Sequence, residues 1–294
     1  MKPAHATTPE ELVIIRRAYA KQVKAVAGAD NPAVERAFAT VPREDFLGPG
    51  PWQIPRDWGN YAPTPSADPV YLYTNDLVGI VPERRINNGQ PSLHFYLLAR
   101  AAPVAGEHIV HVGAGVGYYT AIMADITGPD GKVTGIEYDP DLAARARANL
   151  APYPQASVIE GDGSSVPFED ADIIYVNAGA TRPAEAWLDR LKPGGRLVLP
   201  LTTDLNFSED GWSNMHQRGA VFLITRREGH YDAEWISPVA IFPCVGTRDD
   251  ASEKPLAEAL GRGNVKRVRK LYRSNTIPRE RCWLKAPGWC LAYD

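Results

Sequence analysis

Three glycines two residues apart, Gly113, Gly115 and Gly117, follow the apolar run Ile109-Val110-His111-Val112 and lead into Tyr118-Tyr119-Thr120-Ala121. Glycine is needed where backbone must come within contact distance of a ligand and a side chain would clash. The order strand, glycine turn, helix puts this loop at the carboxyl end of a strand, where doubly wound sheets bind nucleotides. The dinucleotide fingerprint G-x-G-x-x-G requires glycine at position 118, and tyrosine stands there, which disfavours a nicotinamide cofactor.

A cofactor without a pyrophosphate fits better. S-adenosylmethionine (SAM) asks the loop only to admit a methionine moiety and a ribose, with the carboxylate near helix N-terminal amides, and it leaves as S-adenosylhomocysteine. An acidic side chain at the end of the next strand can accept hydrogen bonds from both ribose hydroxyls, and Glu137 stands there. Such a charge-assisted bond contributes roughly 1.5 to 3 kcal/mol; the competing reading is a solvated strand-end carboxylate. Asp162, in Gly161-Asp162-Gly163, can accept from an adenine amino group or merely form an Asp-Gly turn. Ala114, Tyr118, Tyr138, Gly163 and Gln90 complete the expected cofactor-binding set. His94 and His111 have the chemistry of bases for a hydroxyl nucleophile, against a structural role for each.

The elements that must carry these residues alternate between residues 92 and 201. Helices are expected at Ser92 to Ala102, Tyr118 to Thr127, Asp141 to Leu150 and Pro183 to Leu191, the last stopped at Pro193-Gly194-Gly195. Strands are expected at His108 to Val112, Lys132 to Glu137, Ala156 to Glu160, Ile173 to Val176 and Arg196 to Pro200. That alternation predicts an α/β, Rossmann-like doubly wound and mostly parallel sheet. Two further β runs, Ala220 to Arg226 and Ile236 to Phe242, turn at Glu228-Gly229-His230 and form an antiparallel hairpin on its edge.

Upstream, apolar spacing predicts a helix from Pro9 to Val26, with Thr8 and Glu11 as capping box, and a second from Pro32 to Thr40. Prolines 49, 51, 55, 63, 65 and 69 make residues 47 to 91 mostly loop. Trp52, Trp58, Tyr61, Tyr71 and Tyr73 give that loop the character of a substrate wall or of a cover on the core. Downstream, a helix near Ala251 to Leu260, a basic segment and a Trp283/Trp289 strand pair form an extension. The boundaries expected are 1–91 (N-terminal helices and substrate-side loop), 92–246 (SAM-binding domain) and 247–294 (C-terminal extension).

Composition narrows the class. A net charge of -3, with basic residues dispersed apart from a short run between Lys266 and Arg273, calls for no nucleic-acid partner. Cys244, Cys282 and Cys290 lack C-x-x-C spacing, so neither a metal site nor a disulfide framework is expected, and reduced thiols of a cytoplasmic protein are. No stretch approaches the roughly 18 apolar residues a membrane span needs, and no apolar signal segment follows the N-terminal basic residue.

Taken together, several runs resemble protein-L-isoaspartate O-methyltransferases. They are Val41-Pro42-Arg43-Glu44-Asp45-Phe46, Gln90-Pro91, His111 to Ala121, Gly161-Asp162-Gly163 and Leu191 to Pro200, over roughly residues 30 to 246. The resemblance implies transfer of the SAM methyl group to the carboxylate of an L-isoaspartyl residue, in a protein or peptide. Two positions depart from the family pattern. The hydroxyl-bearing T-I-S segment before Q-P is Asn87-Asn88-Gly89, so Gly89 takes the place of the serine that acts at the substrate carboxylate; the acidic residue two places before the first loop glycine is His111. Asn87, Asn88 and Ser92 are the candidates to supply the missing hydrogen bond, or else to cap the helix that starts near Ser92. Tyr73 and Asp76 fall where the resemblance puts the substrate cleft. A carboxylate is already ionised at neutral pH and needs no general base, so alignment carries the catalysis. The Gly89 departure keeps two other readings open: a divergent relative acting on another carboxylate or a small molecule, and a SAM-binding protein without catalysis.

Overall fold

The computed structural model describes residues 7–56, 60–205 and 215–294; Trp58 of the aromatic loop lies outside the described residues. The chain forms two compact units: Met1–Gly106 with Ala114–Val133 and Asp141–Val158, and Glu107–Gly113 with Thr134–Pro140 and Ile159–Asp294.

The first unit is helical. Thr8 caps α1 (Pro9–Ala27) reciprocally with Glu11, at 3.2 and 2.8 Å, as the capping-box spacing predicts, and Gly28 ends it in the left-handed region at φ 62. The Asn31 side chain accepts from the Ala33 and Val34 amides and starts α2 (Pro32–Thr40). A short α3 (Glu44–Leu47) follows. Residues 47–91 are less irregular than their prolines suggest. β1 (Gln53–Pro55) pairs with β2 (Tyr61–Pro63), and β3 (Gly79–Val81) with β4 (Ile86–Asn87), both antiparallel. A two-strand ribbon has only edges, so a proline that cannot donate is tolerated in it. Then come α4 (Pro91–Ala101), α5 (Tyr118–Thr127) and α6 (Pro140–Asn149). The interior holds tilted and edge-on rings, Tyr19, Phe38, Phe95, Tyr118 and Tyr119, with centroids 5.0 to 6.5 Å apart.

The second unit is built on a ten-stranded sheet. Its strands are β5 (His108–Val112), β6 (Lys132–Glu137), β7 (Ala156–Glu160), β8 (Ala171–Val176), β9 (Leu191–Thr202), β10 (Gly219–Arg227), β11 (His230–Pro238), β12 (Lys270–Tyr272), β13 (Cys282–Ala286) and β14 (Trp289–Ala292). In space they run β13-β14-β12-β11-β10-β9-β8-β5-β6-β7. The order reverses at β5: β6 and β7 lie to one side, β8 and β9 to the other, and β5, β8 and β9 are parallel. Such a reversal opens the crevice where these sheets bind ligands.

Three elements differ from expectation. The helix at Pro183 to Leu191 is only α7 (Glu185–Asp189), because Leu191 already pairs with Ala171 in the sheet. The second hairpin strand starts at His230, six residues earlier than its apolar run, since the Glu228-Gly229 turn (Gly229 at φ 74) pairs Arg227 directly with His230. Residues 247–294 continue the sheet: β12 pairs with β11, β14 with β12 and β13 with β14, so the antiparallel part is five strands rather than one hairpin. Trp283 and Trp289, buried with Leu256 and Leu260 of α9 (Asp250–Arg262), join the same core as Val110, Ile174, Leu197 and Phe222.

Candidate active site

The loop after β5 is shaped by its glycines. Gly113, Gly115 and Gly117 have φ of 78, 57 and 93, a region L side chains rarely adopt. The Gly113 amide donates to the Ile136 carbonyl of β6 at 2.9 Å, and the Gly117 amide to Ala114 at 3.0 Å, so the turn is held by main chain. A Cβ on Gly113 would approach the Asn177 carbonyl to 3.1 Å, whereas one on Gly115 would project into open space. Gly113 is therefore glycine for the fold by contact and by φ, and Gly115 by its φ of 57 alone. Ala114 is buried beside it. Tyr118 opens α5, but its ring is fully buried among Phe46, Phe38 and the Arg43 guanidinium, which leaves only its main chain to serve a cofactor.

In the second unit, Glu137 ends β6 as a buried carboxylate whose Oε1 accepts the Asp139 amide at 3.0 Å, while Tyr138 beside it is exposed. Asp162 Oδ1 accepts the Ser164 amide at 2.8 Å, the short-range bond of an Asx turn. Its carboxylate packs on Gly246, where a Cβ would come within 2.2 Å of Oδ2. Gly163 is equally constrained, since a Cβ there would lie 2.4 Å from Val112 Cγ1. Cys244 sits beside both carboxylates: burial first, then the charges of Asp162 and Glu137, push its thiol up, so it is protonated at neutral pH. The Cys244 amide donates to Gly179 at 2.8 Å and the Thr181 amide to Thr247 at 3.0 Å, which ties residues 243–247 as a strap across the chain that leaves β8. Asn177 and Gly246 escaped the sequence reading, and Cys244 entered it only as a thiol. Nothing local marks their places, because their partners are 64 to 107 positions away.

In the first unit, Asn87 Oδ1 accepts the Gly89 amide at 2.9 Å, and the Asn88 amide donates to Val78 at 2.8 Å with its side chain buried. None of Asn87, Asn88 and Ser92 caps α4. Its N-cap is the exposed Gln90, which makes no side-chain cap bond, and it is Asn75 that accepts the Ser92 amide, at 2.8 Å. Gly89 lies at φ 73, and His94 comes back to it one turn into α4. Tyr73 is interior: its hydroxyl donates to Glu44 and accepts from Arg16 Nε at 2.9 Å and the Arg43 amide at 3.3 Å. Burial and the Glu44 carboxylate push that phenol far above its ordinary value. Asp76 is exposed, and its carbonyl accepts from Arg43 Nη2 at 3.0 Å. Arg43, wholly buried, also donates from Nη1 to Leu72 at 2.6 Å and Thr74 at 3.2 Å, so one guanidinium clasps residues 72–76. His111 is buried edge-on to Tyr175, with centroids 5.5 Å apart, and burial pulls its pKa down to about 3. A ring held neutral in this way serves packing, not proton transfer. Among the described residues no group of three His, Cys, Asp or Glu could hold a metal ion, and no helix is long and apolar enough to cross a membrane.

A left-handed glycine turn after the central strand of a doubly wound sheet lies where α/β proteins of this class bind nucleoside cofactors. The family model for protein-L-isoaspartate(D-aspartate) O-methyltransferase matches residues 17–210. The protein-L-isoaspartate O-methyltransferase of Ignicoccus hospitalis is 36% identical over 159 residues, which is 53% of this chain and 70% of that protein. A solved protein-L-isoaspartate O-methyltransferase has the same fold, with a TM-score of 0.64 at 24% identity over 88% of this chain and 72% of that one. The crystal structure of a putative protein-L-isoaspartate O-methyltransferase from Plasmodium falciparum in complex with S-adenosyl-L-homocysteine has a TM-score of 0.59 at 18% identity, covering 78% and 97%. This chain belongs to the protein-L-isoaspartate(D-aspartate) O-methyltransferase family and is a SAM-dependent methyltransferase. The family match ends before β10, so the antiparallel strands lie beyond it.

Proposed function

We propose that the enzyme esterifies the free carboxylate of L-isoaspartyl residues in proteins or peptides. The observation that carries this reading is the glycine loop, kept in the left-handed region at Gly113, Gly115 and Gly117 inside a family match that spans residues 17–210. The main chain of Gly113, Ala114, Gly115, Gly117 and Tyr118 receives the methionine end of the cofactor, with Gln90 at its edge. Glu137 grips the ribose hydroxyls, the exposed Tyr138 ring covers the adenosine, and Asp162 with Gly163 meets the adenine. The cofactor supplies an electrophilic methyl group. The chain's part is to bring an already ionised acceptor carboxylate in line with it and to exclude water, a service that proximity and orientation can make worth about 7 to 11 kcal/mol at best. Neither needs a general base, in keeping with a His111 that stays neutral and an exposed Asp76 that reaches the acceptor only at the rim.

We take residues 1–91 as the acceptor side, 92–246 as the cofactor domain, and 247–294 as an extension that stiffens the sheet, in a cytoplasmic protein whose cysteines Cys244, Cys282 and Cys290 are free thiols. Incubation with labelled SAM and an isoaspartyl peptide, beside its aspartyl isomer, tests the reading: base-labile methyl ester forms on the isoaspartyl peptide alone. Gly89, which lacks the family hydroxyl, favours a second reading, a divergent enzyme for another carboxylate, and ester formation on a different acid with none on the peptide would establish it. SAM binding without turnover of any acceptor would reduce the protein to a cofactor-binding module.

A further inference from the structure

The family match stops before residues 247–294, yet two side chains of that extension reach the carboxyl ends of β8 and β9. Arg248 Nη1 donates to the carbonyl of Gly179, just past β8, at 3.4 Å, and to the carbonyl and Oγ1 of Thr202, the last residue of β9, at 3.4 and 3.2 Å. Its Nη2 donates to Asp204 at 2.7 Å and to Glu253 of α9 at 2.9 Å. Glu253 also accepts the Thr203 hydroxyl at 2.7 Å and the Asp204 amide at 2.8 Å. The Arg248 and Glu253 side chains are only 19% and 15% exposed, so their pair is shielded from the water that weakens surface ion pairs. The packing requires glycine at 179, where a Cβ would lie 2.1 Å from the Thr202 oxygen that Arg248 binds. Two residues before it, Asn177 abuts the cofactor loop. Its Nδ2 donates to the Gly113 carbonyl at 3.3 Å and its amide to Val112 at 2.8 Å, and its own carbonyl is the oxygen 3.1 Å from a Cβ on Gly113. Residues 177–179 thus meet the first loop glycine at one end and an arginine of the extension at the other, where the strand order reverses between β5 and β8.

We propose that Arg248, oriented by Glu253, is a positioning residue for the cofactor: it fixes the chain after β8 against the end of β9, and that chain sets where the Gly113 main chain meets SAM. This rests on the reading of the glycine loop as the cofactor site. A guanidinium suits the task, because its planar fork of donors serves main-chain carbonyls on one nitrogen and carboxylates on the other without freedom to turn. A loop that holds its binding geometry for only part of the time binds with its affinity reduced by that fraction. Loosening the buttress therefore weakens the cofactor without removing any group that touches it. The extension then does more than continue the sheet: it steadies a site whose own residues lie inside the family match.

Calorimetry with S-adenosylhomocysteine on the full-length protein tests this. Arg248→Met, which keeps the stem and removes the donors, should weaken the ligand about tenfold, as for a loop competent roughly one-tenth of the time. Arg248→Lys, which retains the charge and can serve one carbonyl, should recover part of that loss. Glu253→Gln keeps an acceptor for Thr203 and Asp204 but takes the charge from beside Nη2, and should weaken binding about threefold. Arg273→Met is the control. Arg273 ties the extension to Glu185 and Asp189 at the amino end of β9, so its loss loosens the extension far from the loop and should leave the affinity within about twofold of wild type. If Arg248→Met fails to fold, Arg248→Lys and Glu253→Gln carry the comparison. Unchanged affinity in every Arg248 and Glu253 variant that folds overturns the proposal, as does equal weakening in Arg273→Met. A wild-type protein with no affinity for S-adenosylhomocysteine is a different failure: it overturns the reading of the loop, and the proposal with it.

Discussion

His111 makes the stability of this protein pH-dependent in a calculable way. It lies in β5, 0% exposed, edge-on to Tyr175 at 5.5 Å, and burial pulls its pKa from 6.5 to about 3. A lowered histidine pKa means that between those values the unfolded chain binds a proton that the folded chain refuses. Stability therefore rises with pH across that window and is lost on acidification, by up to about 1.4 kcal/mol per pH unit. At pH 4.5 the ring has withheld its proton over two units, a deficit of about 2.7 kcal/mol. That is a large part of the roughly 5 to 15 kcal/mol that holds a domain folded. His111→Val removes the titration and suits a strand interior. Urea unfolding of both proteins from pH 7.5 to 4.5, with stability taken from midpoint and slope, isolates the effect, because every carboxylate titrates alike in the two. The variant should gain about 2 to 3 kcal/mol on wild type between the ends of that range. Parallel curves would refute a neutral, buried imidazole, and equal turnover at pH 7.5 would confirm that His111 takes no part in the chemistry.

Four further outcomes follow from two glycines and two buried charges. Gly115→Ala, whose Cβ meets open space but whose φ of 57 costs an L residue about 1 to 2 kcal/mol, should lose about that much stability in urea and weaken S-adenosylhomocysteine at least tenfold by calorimetry on the folded protein, whereas Gly163→Ala, 2.4 Å from Val112, should lose about 1 to 3 kcal/mol of stability. Glu137→Gln should weaken the same ligand about tenfold or more through loss of a charge-assisted bond to the ribose, again read by calorimetry. Arg43→Met leaves the Leu72, Thr74 and Asp76 carbonyls without their donor; it should cost about 3 kcal/mol by urea unfolding and admit proteases to residues 72–76.

The fold was legible wherever a residue's reason lies next to it in the chain. Thr8 and Glu11, Asn31 before Pro32, and the apolar run of β5 announce their elements within four positions, and each appears where its pattern puts it. β11 was misplaced because Asp232 and Glu234, which alternate with Ala233 and Trp235, conceal the start of a strand whose register is set by the turn. β12 has three residues and no periodicity of its own; only its neighbours β11 and β14 make it a strand. The purpose of the C-terminal extension was hidden for the same reason: Trp283 reads as apolar anywhere, and its place in the core depends on partners such as Phe222, sixty-one positions away.

The site divides along the same line. A loop that must turn in the left-handed region is spelled in glycine, so Gly113, Gly115 and Gly117 declare themselves and the structure returns all three there. A position that depends on side chains brought in from elsewhere carries no such local signal. Reading Gly89 as the loss of a hydroxyl sent the search to Asn87, Asn88 and Ser92, the polar neighbours in sequence. The structure turns Asn87 onto the Gly89 amide and leaves helix capping to Asn75. What stands in the space is His94, five residues on, brought there by the first turn of α4 and held by the ring of Tyr119, thirty residues beyond Gly89. A motif comparison scores position 89 as the loss of a hydroxyl, and the structure fills the volume beside it with the edge of a buried imidazole.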